Sequence, residues 1–229
     1  MKHYSILFLL FLFVLPVQAQ NNTDQLGAWY MYFYTTKLKD SQFGIQGDIQ
    51  YRNWNTIGDL EQLLLRSGLT YKPTNTDVTL TLGAAHVITG VVGESNQTTS
   101  ETRIYQEALL PQKIGKRLYF NHRFRYEQRF VENQDFRTRF RYNLFLNIPI
   151  NKTTLSKNAI YIALYNEIFI NGEKNIGNNR TVNVFDRNRF YTGLGYGLTD
   201  KLRLQLGFMN QSTEIAGKDQ IQLSLHHTF

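Results

Sequence analysis

The sequence predicts an all-β protein: an antiparallel transmembrane β-barrel with a polar, arginine-rich lumen. Three observations predict it. Apolar and polar residues alternate with period two almost throughout, which is the pattern of strands rather than helices. Most of the alternating segments run about 10 to 16 residues. Globular strands average nearer five or six, whereas a tilted strand crossing a bilayer needs about 9–11. The two cations are also segregated: most arginines lie inside the segments, lysines in turns or at segment ends. Arginine suits confined, bidentate pairing with carboxylates better than lysine does, so the arginine face reads as enclosed.

The chain opens with "MKHYSILFLLFLFVLPVQAQ". Lys2 and His3 precede an apolar run, Ile6 to Leu15, and Val17 and Ala19 stand before Gln20. This is the form of a secretory signal peptide, and the run is too short to span a hydrocarbon core that needs about 20 residues. Cleavage after Ala19 leaves residues 20–229 as a single barrel domain. The chain has no cysteine, so disulfides, thiolate metal sites and a thiol nucleophile are excluded.

Eleven segments follow: Leu26–Thr36, Gln42–Trp54, Asp59–Lys72, Asp77–Val92, Glu101–Leu110, Arg117–Val131, Phe136–Ile148, Ala159–Ile170, Phe185–Leu198, Leu202–Thr213 and Asp219–Phe229. Turn compositions such as "KPTNT", "PQKIGK" and "LTDK" separate them, and Pro73, Pro111 and Pro149 fall at segment ends, where a missing N–H costs no ladder bond. Bacterial single-chain barrels have an even number of strands. Twelve strands are therefore expected, or ten if Leu26–Thr36 lies outside the wall. That segment is the suspect because Trp29, Met31 and Phe33 make both of its faces apolar.

The stretch "HRFRYEQRFVENQDFRTRFRYNLFLNIPI" carries the candidate site. His122, Phe124, Tyr126 and Phe130 alternate with Arg123, Arg125, Glu127 and Arg129; after "ENQD" the pattern resumes with Phe140 and Tyr142 against Arg137, Arg139 and Arg141. Antiparallel pairing places both files on one face, as a lumen cluster. Its expected counter-charges are Glu127 itself and Asp48, Glu101, Glu107 and Glu167 on other strands. Charged rings set selectivity in pores, so the cluster is a candidate selectivity element. The structural alternative is a ladder that only neutralises interior carboxylates.

The chain finishes "QIQLSLHHTF". A terminal strand closing on Phe229 resembles the assembly signal of bacterial outer-membrane barrels. Counted back from that end as periplasmic, most of the inner turns are short; "VVGESNQTTSE" and "NGEKNIGNNRTVNV" fall outside and are longer, while "PINKTTLSKN" breaks the rule. Several motifs, "HRFRYEQRF", "RTRFRY", "LNIPI", "YNEIFIN", "DRNRFYTGLGYGL" and "LRLQLGFMNQ", resemble the DUF2490 family, uncharacterised exported proteins of Bacteroidota and other diderm bacteria. The resemblance implies an outer-membrane barrel and carries no catalytic residue over.

Two functions fit. One is a narrow channel or binding barrel for small anionic solutes; the other is a closed structural or interaction barrel. No enzyme is expected, with a lipid hydrolase as a weak third reading. His86, His122 and His227 point outward by alternation; only His226 shares the inner face with Ser224, and no carboxylate is close to them in sequence. Gly193, Gly195 and Gly197 share one face, as tight curvature or close packing requires, and are not read as a phosphate loop. No metal or cofactor site is expected. The formal charge of +7 does not signal nucleic acid, because much of it is enclosed. The expected partners are outer-membrane lipid, lipopolysaccharide at the lysine-bearing rims and the barrel-assembly machinery, with the protein a monomer.

Overall fold

A computed structural model of the chain describes residues 25–93 and 96–229. The expected signal peptide, residues 1–19, and its cleavage point lie outside the described residues. Eleven strands follow in order: β1 Gly27–Lys37, β2 Phe43–Asn53, β3 Leu60–Tyr71, β4 Thr79–Gly90, β5 Thr98–Ile114, β6 Leu118–Val131, β7 Arg137–Pro149, β8 Ile160–Asn171, β9 Phe185–Gly197, β10 Leu202–Ser212 and β11 Gly217–Thr228. There is no helix among the described residues.

Each strand pairs with its sequence neighbours, and β1 closes the ring against β11. All pairs are antiparallel except this last one, which runs parallel from Gly27↔Gln220 to Thr35↔Thr228. The expectation of twelve or ten strands is therefore corrected to eleven. In an up-and-down meander an odd count leaves the first and last strands pointing the same way, so closure needs a parallel seam. The even-number rule holds only where that seam is antiparallel.

β1 lies in the wall and pairs on both sides, which corrects the suspicion that it stands apart. Its two apolar faces have different destinations. Tyr30, Tyr32 and Tyr34 sit on the outer surface, with Tyr32 bonded to His227 and Tyr34 to Ser67. Trp29 and Met31 turn into the lumen and pack with Tyr161, Ala163, Tyr191 and Met209. Phe33 stacks on His226 with ring centres 4.8 Å apart. One sector of the lumen is thus apolar, and strict alternation of polar and apolar fails there.

The rest of the barrel follows the alternation. Outward positions expose large apolar side chains in mid-strand, with Leu82 60% and Leu194 59% accessible. Cross-strand ring pairs line the same surface, among them Phe124–Tyr142 at 4.9 Å and Tyr126–Phe140 at 4.8 Å, contacts that stabilise neighbouring strands. Inward positions bury charge: Glu127 is 1% accessible and Arg139 4%. This is the reverse of a protein built around an apolar interior.

Two of the alternating glycines have a visible reason. A Cβ on Gly195 would fall within the Tyr161 ring, and one on Gly193 would meet Tyr191. Each tyrosine lies across the wall in a notch that only glycine leaves. Pro111 departs from expectation, because β5 continues past it to Ile114. β4 begins only at Thr79, opposite Leu109, so this part of β5 has only β6 as a neighbour, and a proline is tolerated on such an edge.

The seam gives a direct test, since the chain has no native cysteine. Tyr30 and Leu223 are register partners across β1 and β11. The double variant Tyr30→Cys, Leu223→Cys is expected to form an intramolecular disulfide on mild oxidation, seen as a mobility shift reversed by reductant. A barrel of ten or twelve strands would leave the pair uncrosslinked.

Candidate functional site

The β6–β7 register aligns Arg129 with Arg137, Glu127 with Arg139, Arg125 with Arg141 and Arg123 with Asn143. Like charges directly opposite one another are destabilising, so the two files need carboxylates between them. β5 supplies Glu101 and Glu107, in register with Val131 and Arg125 of β6, and β8 supplies Glu167 opposite Asn143.

Those carboxylates sit where the cations require them. Glu101 takes a bidentate pair from Arg103, at 2.7 Å for both bonds, and accepts a further bond from Arg129 Nη2 at 3.0 Å. Glu107 accepts from Arg125 Nε at 2.6 Å. Glu127 joins both files, accepting from Arg139 Nη2 at 2.7 Å and from Arg141 Nη1 at 2.6 Å. Glu167 accepts from Arg123 Nη2 at 2.6 Å and Arg141 Nε at 2.8 Å. Asp48 pairs outside the two files, with Arg66 at 2.8 Å. Arg137 is buried but makes no ion pair among the described residues, and its Nε has no hydrogen-bond partner.

The network reaches residues that the sequence pattern leaves out. Asp186 accepts from Arg139 Nη1 at 3.0 Å and pairs with Arg187 at 3.1 Å. Lys218 is enclosed, not at a rim: its Nζ lies 3.1 Å from Glu61 and 4.0 Å from the Trp54 ring centre. Its position at the start of β11 is what made it read as exposed. Arginines short of carboxylates rest on aromatic faces. Arg52 lies 3.8 Å above Trp29, and Arg189 lies 4.7 Å from both Trp29 and Phe169. The only hint of this aromatic sector in the sequence is the doubly apolar β1.

The lumen differs along its axis. Toward the end where β1 begins it is filled: Gln220, Asn53, Arg103, Glu101, Arg129 and Lys218 are all buried. Toward the end where β11 finishes it holds a cavity of about 340 Å³. This cavity rises from Arg52 and Arg66 to Thr35, Asn147, Arg203 and His226, where the lining side chains are partly exposed. Its wall includes seven arginines against three carboxylates, Asp48, Glu107 and Glu167. Of the expected cluster, Arg123, Arg125 and Arg141 line the cavity, while Arg129, Arg137 and Arg139 are buried outside its lining.

His226 points inward and its Nε2 lies 3.0 Å from Ser224 Oγ; no carboxylate hydrogen-bonds this pair among the described residues. His86 is exposed on the outer surface, and His122 and His227 bond Tyr142 and Tyr32 there. No cluster among the described residues could hold a metal ion.

Fold and lumen together define a closed eleven-stranded β-barrel with an ion-paired interior. The model of the DUF2490 family, proteins of unknown function, matches residues 26–222, and the chain belongs to this family. No curated protein and no solved structure matches it.

Glu127 is the keystone of the network. Removing one partner from a buried ion pair costs about 3–5 kcal/mol. Glu127→Gln, which keeps the shape, is expected to lower unfolding stability in urea by that amount. A loss below about 1 kcal/mol would mean that water screens the pair as it does an exposed one.

Proposed function

We propose that the mature chain is a monomeric outer-membrane β-barrel of a diderm bacterium, whose lumen is a one-ended binding cup for a small anionic solute. The observation that carries the reading is the contrast along the axis. One end is packed with buried ion pairs, and the other holds a cavity whose arginines outnumber its carboxylates. Surplus cation in a partly desolvated cavity favours an anion.

Several features support the membrane setting. The strands are 11–17 residues long, enough to cross a bilayer at a tilt. A soluble surface would not tolerate so continuous an apolar belt. Export by the signal peptide and delivery through the barrel-assembly machinery complete the route, and the short β5–β6 and β9–β10 turns mark the end where β11 finishes as periplasmic. With that end periplasmic, the cup opens toward the periplasm and the long β8–β9 connection, residues 172–184, lies outside. The loop asymmetry is slight, because β5 begins at Thr98 and leaves only residues 91–97 between β4 and β5. The rim lysines of that periplasmic end, among them Lys113, Lys116 and Lys152, then meet acidic headgroups, and Lys174 at the outer end meets lipopolysaccharide.

A through channel is the less favoured half of the original expectation, since an ion crossing the barrel would have to part Glu101 from Arg103 and Arg129. Ser224 and His226 have no orienting carboxylate among the described residues, which leaves the hydrolase reading without support. The structural reading keeps one observation in its favour: every carboxylate of the network already has an arginine or lysine partner.

Two measurements test the cup. Refolded mature protein in a planar bilayer under a salt gradient is expected to insert without conductance steps; anion-selective steps would restore the channel. A panel of organic and inorganic anions should include members that raise the unfolding temperature, as any ligand selective for the native state does. No shift from any anion would leave the structural barrel.

A further inference from the structure

The cup's wall has two chemically distinct sectors. Arg66, Arg123, Arg125 and Arg141 form one side; Trp29, Met31, Phe33, Phe145, Tyr165 and Tyr191 form the other. The sectors meet where Arg123 lies 5.3 Å from the Phe145 ring and Arg52 covers Trp29. The apolar side is more than filling. Tyr165 and Tyr191 stack at 4.9 Å with planes 12° apart, giving a flat face beside the cavity.

An inorganic anion would satisfy only half of this wall. Water left against the aromatic sector has too few polar partners to be well held. Covering that sector with an apolar group recovers about 25 cal/mol per Å². The volume of about 340 Å³ lies at the lower end of the range of roughly 300–1,000 Å³ found for organic ligand pockets. It is also about ten times the 30 Å³ share of one water molecule. Of the seven lining arginines two are not buried: Arg123 is partly exposed, and Arg203, partly exposed at the mouth, makes no ion pair among the described residues. An anion at the mouth gains a charge-assisted bond to Arg203 without parting an ion pair of the wall.

We infer that the solute is an amphipathic organic acid: a carboxylate head held by Arg203 and Arg123, and an aromatic or alicyclic body laid on the partly exposed Met31, Phe33, Phe145 and Tyr165. This rests on the cup reading and narrows it. The head meets Arg203 beside the mouth at Asn147, and the body covers Phe33, Met31 and the open side of Tyr165.

The chain has two tryptophans, and Trp29 lines the cavity while Trp54 does not. Trp54→Phe therefore leaves emission that reports the cup. Titration of this variant, refolded and reconstituted in lipid nanodiscs, would compare cyclohexanecarboxylate and phenylacetate with acetate, phosphate and neutral phenylacetamide. Isothermal calorimetry on the unaltered mature protein gives the affinities. The bulky acids are expected to bind at least tenfold more tightly than acetate, phosphate or the amide. Arg203→Gln, which breaks no ion pair among the described residues, should weaken phenylacetate tenfold or more with folding intact, and Phe33→Ala should weaken it severalfold while leaving acetate unchanged. Acetate or phosphate binding as tightly as the bulky acids overturns the inference and leaves the cup standing. Equal binding of the amide also overturns it, because the charged head would then go unread. If no anion binds, the cup reading itself falls.

Discussion

Glu127 is almost wholly buried between two files of arginine, and the interior of the barrel depends on how its charge is held. Removing a carboxylate from water costs several kcal/mol even after relaxation. The cost is offset only where the geometry is good and the lone pairs are all used. Glu127 meets that condition by accepting from Arg139 and Arg141 of the neighbouring strand. The same contact separates arginines that would otherwise repel, since Arg125 faces Arg141 directly. A slip of β7 by one residue would turn its arginines to the outer surface and its aromatics inward. The ion pairs therefore set register more than they add stability, which agrees with the general weakness of buried pairs as a stabilising device.

Closure is the second constraint. Eleven strands leave no free edge only because β1 and β11 pair in parallel, and a closed ring removes the unpaired edge that invites aggregation. β1 serves both faces of the wall at once. Its tyrosines belong to the outer apolar belt, and Trp29 anchors the lumen by donating to Glu61 at 3.3 Å and carrying Arg52 on its face. The apolar sector it starts, together with Tyr161, Tyr191 and the glycines beneath them, fills the part of the lumen that carries no ion pairs. The cavity is what remains where the two sectors fail to meet.

Much of this was legible in the chain. Period-two alternation marked ten of the eleven strands, with β1 apolar on both faces and so left in doubt, and the spacing of Arg123, Arg125, Arg129, Arg137, Arg139 and Arg141 put both files on one face. Glu101, Glu107, Glu127 and Glu167 could be named as their partners because few other acids lie within strands. The strand count was not legible as final, because closure depends on how the first and last strands meet, and alternation within a strand says nothing of that. Lys218 and Glu61 were missed because a lysine two residues from a turn looks exposed until the barrel wraps around it. Asp186 was missed because it precedes an arginine and breaks the alternation at the β8–β9 bulge beside Phe169 and Ile170. Whether the lumen is open or filled depends on side-chain packing across the barrel, which no local pattern records.

The central claim is a lumen sealed at one end and open at the other. Single cysteines test it most directly, because the chain has none of its own. Asn147 lines the cavity near its mouth and is partly exposed; Gln220 faces the filled end and is 0% accessible. The variants Asn147→Cys and Gln220→Cys would be refolded separately and treated with a small charged methanethiosulfonate. The account predicts that the first thiol reacts at a rate near that of an exposed loop cysteine, while the second stays unmodified until the barrel is unfolded. Equal, rapid reaction at both positions would mean a continuous aqueous lumen and would contradict it.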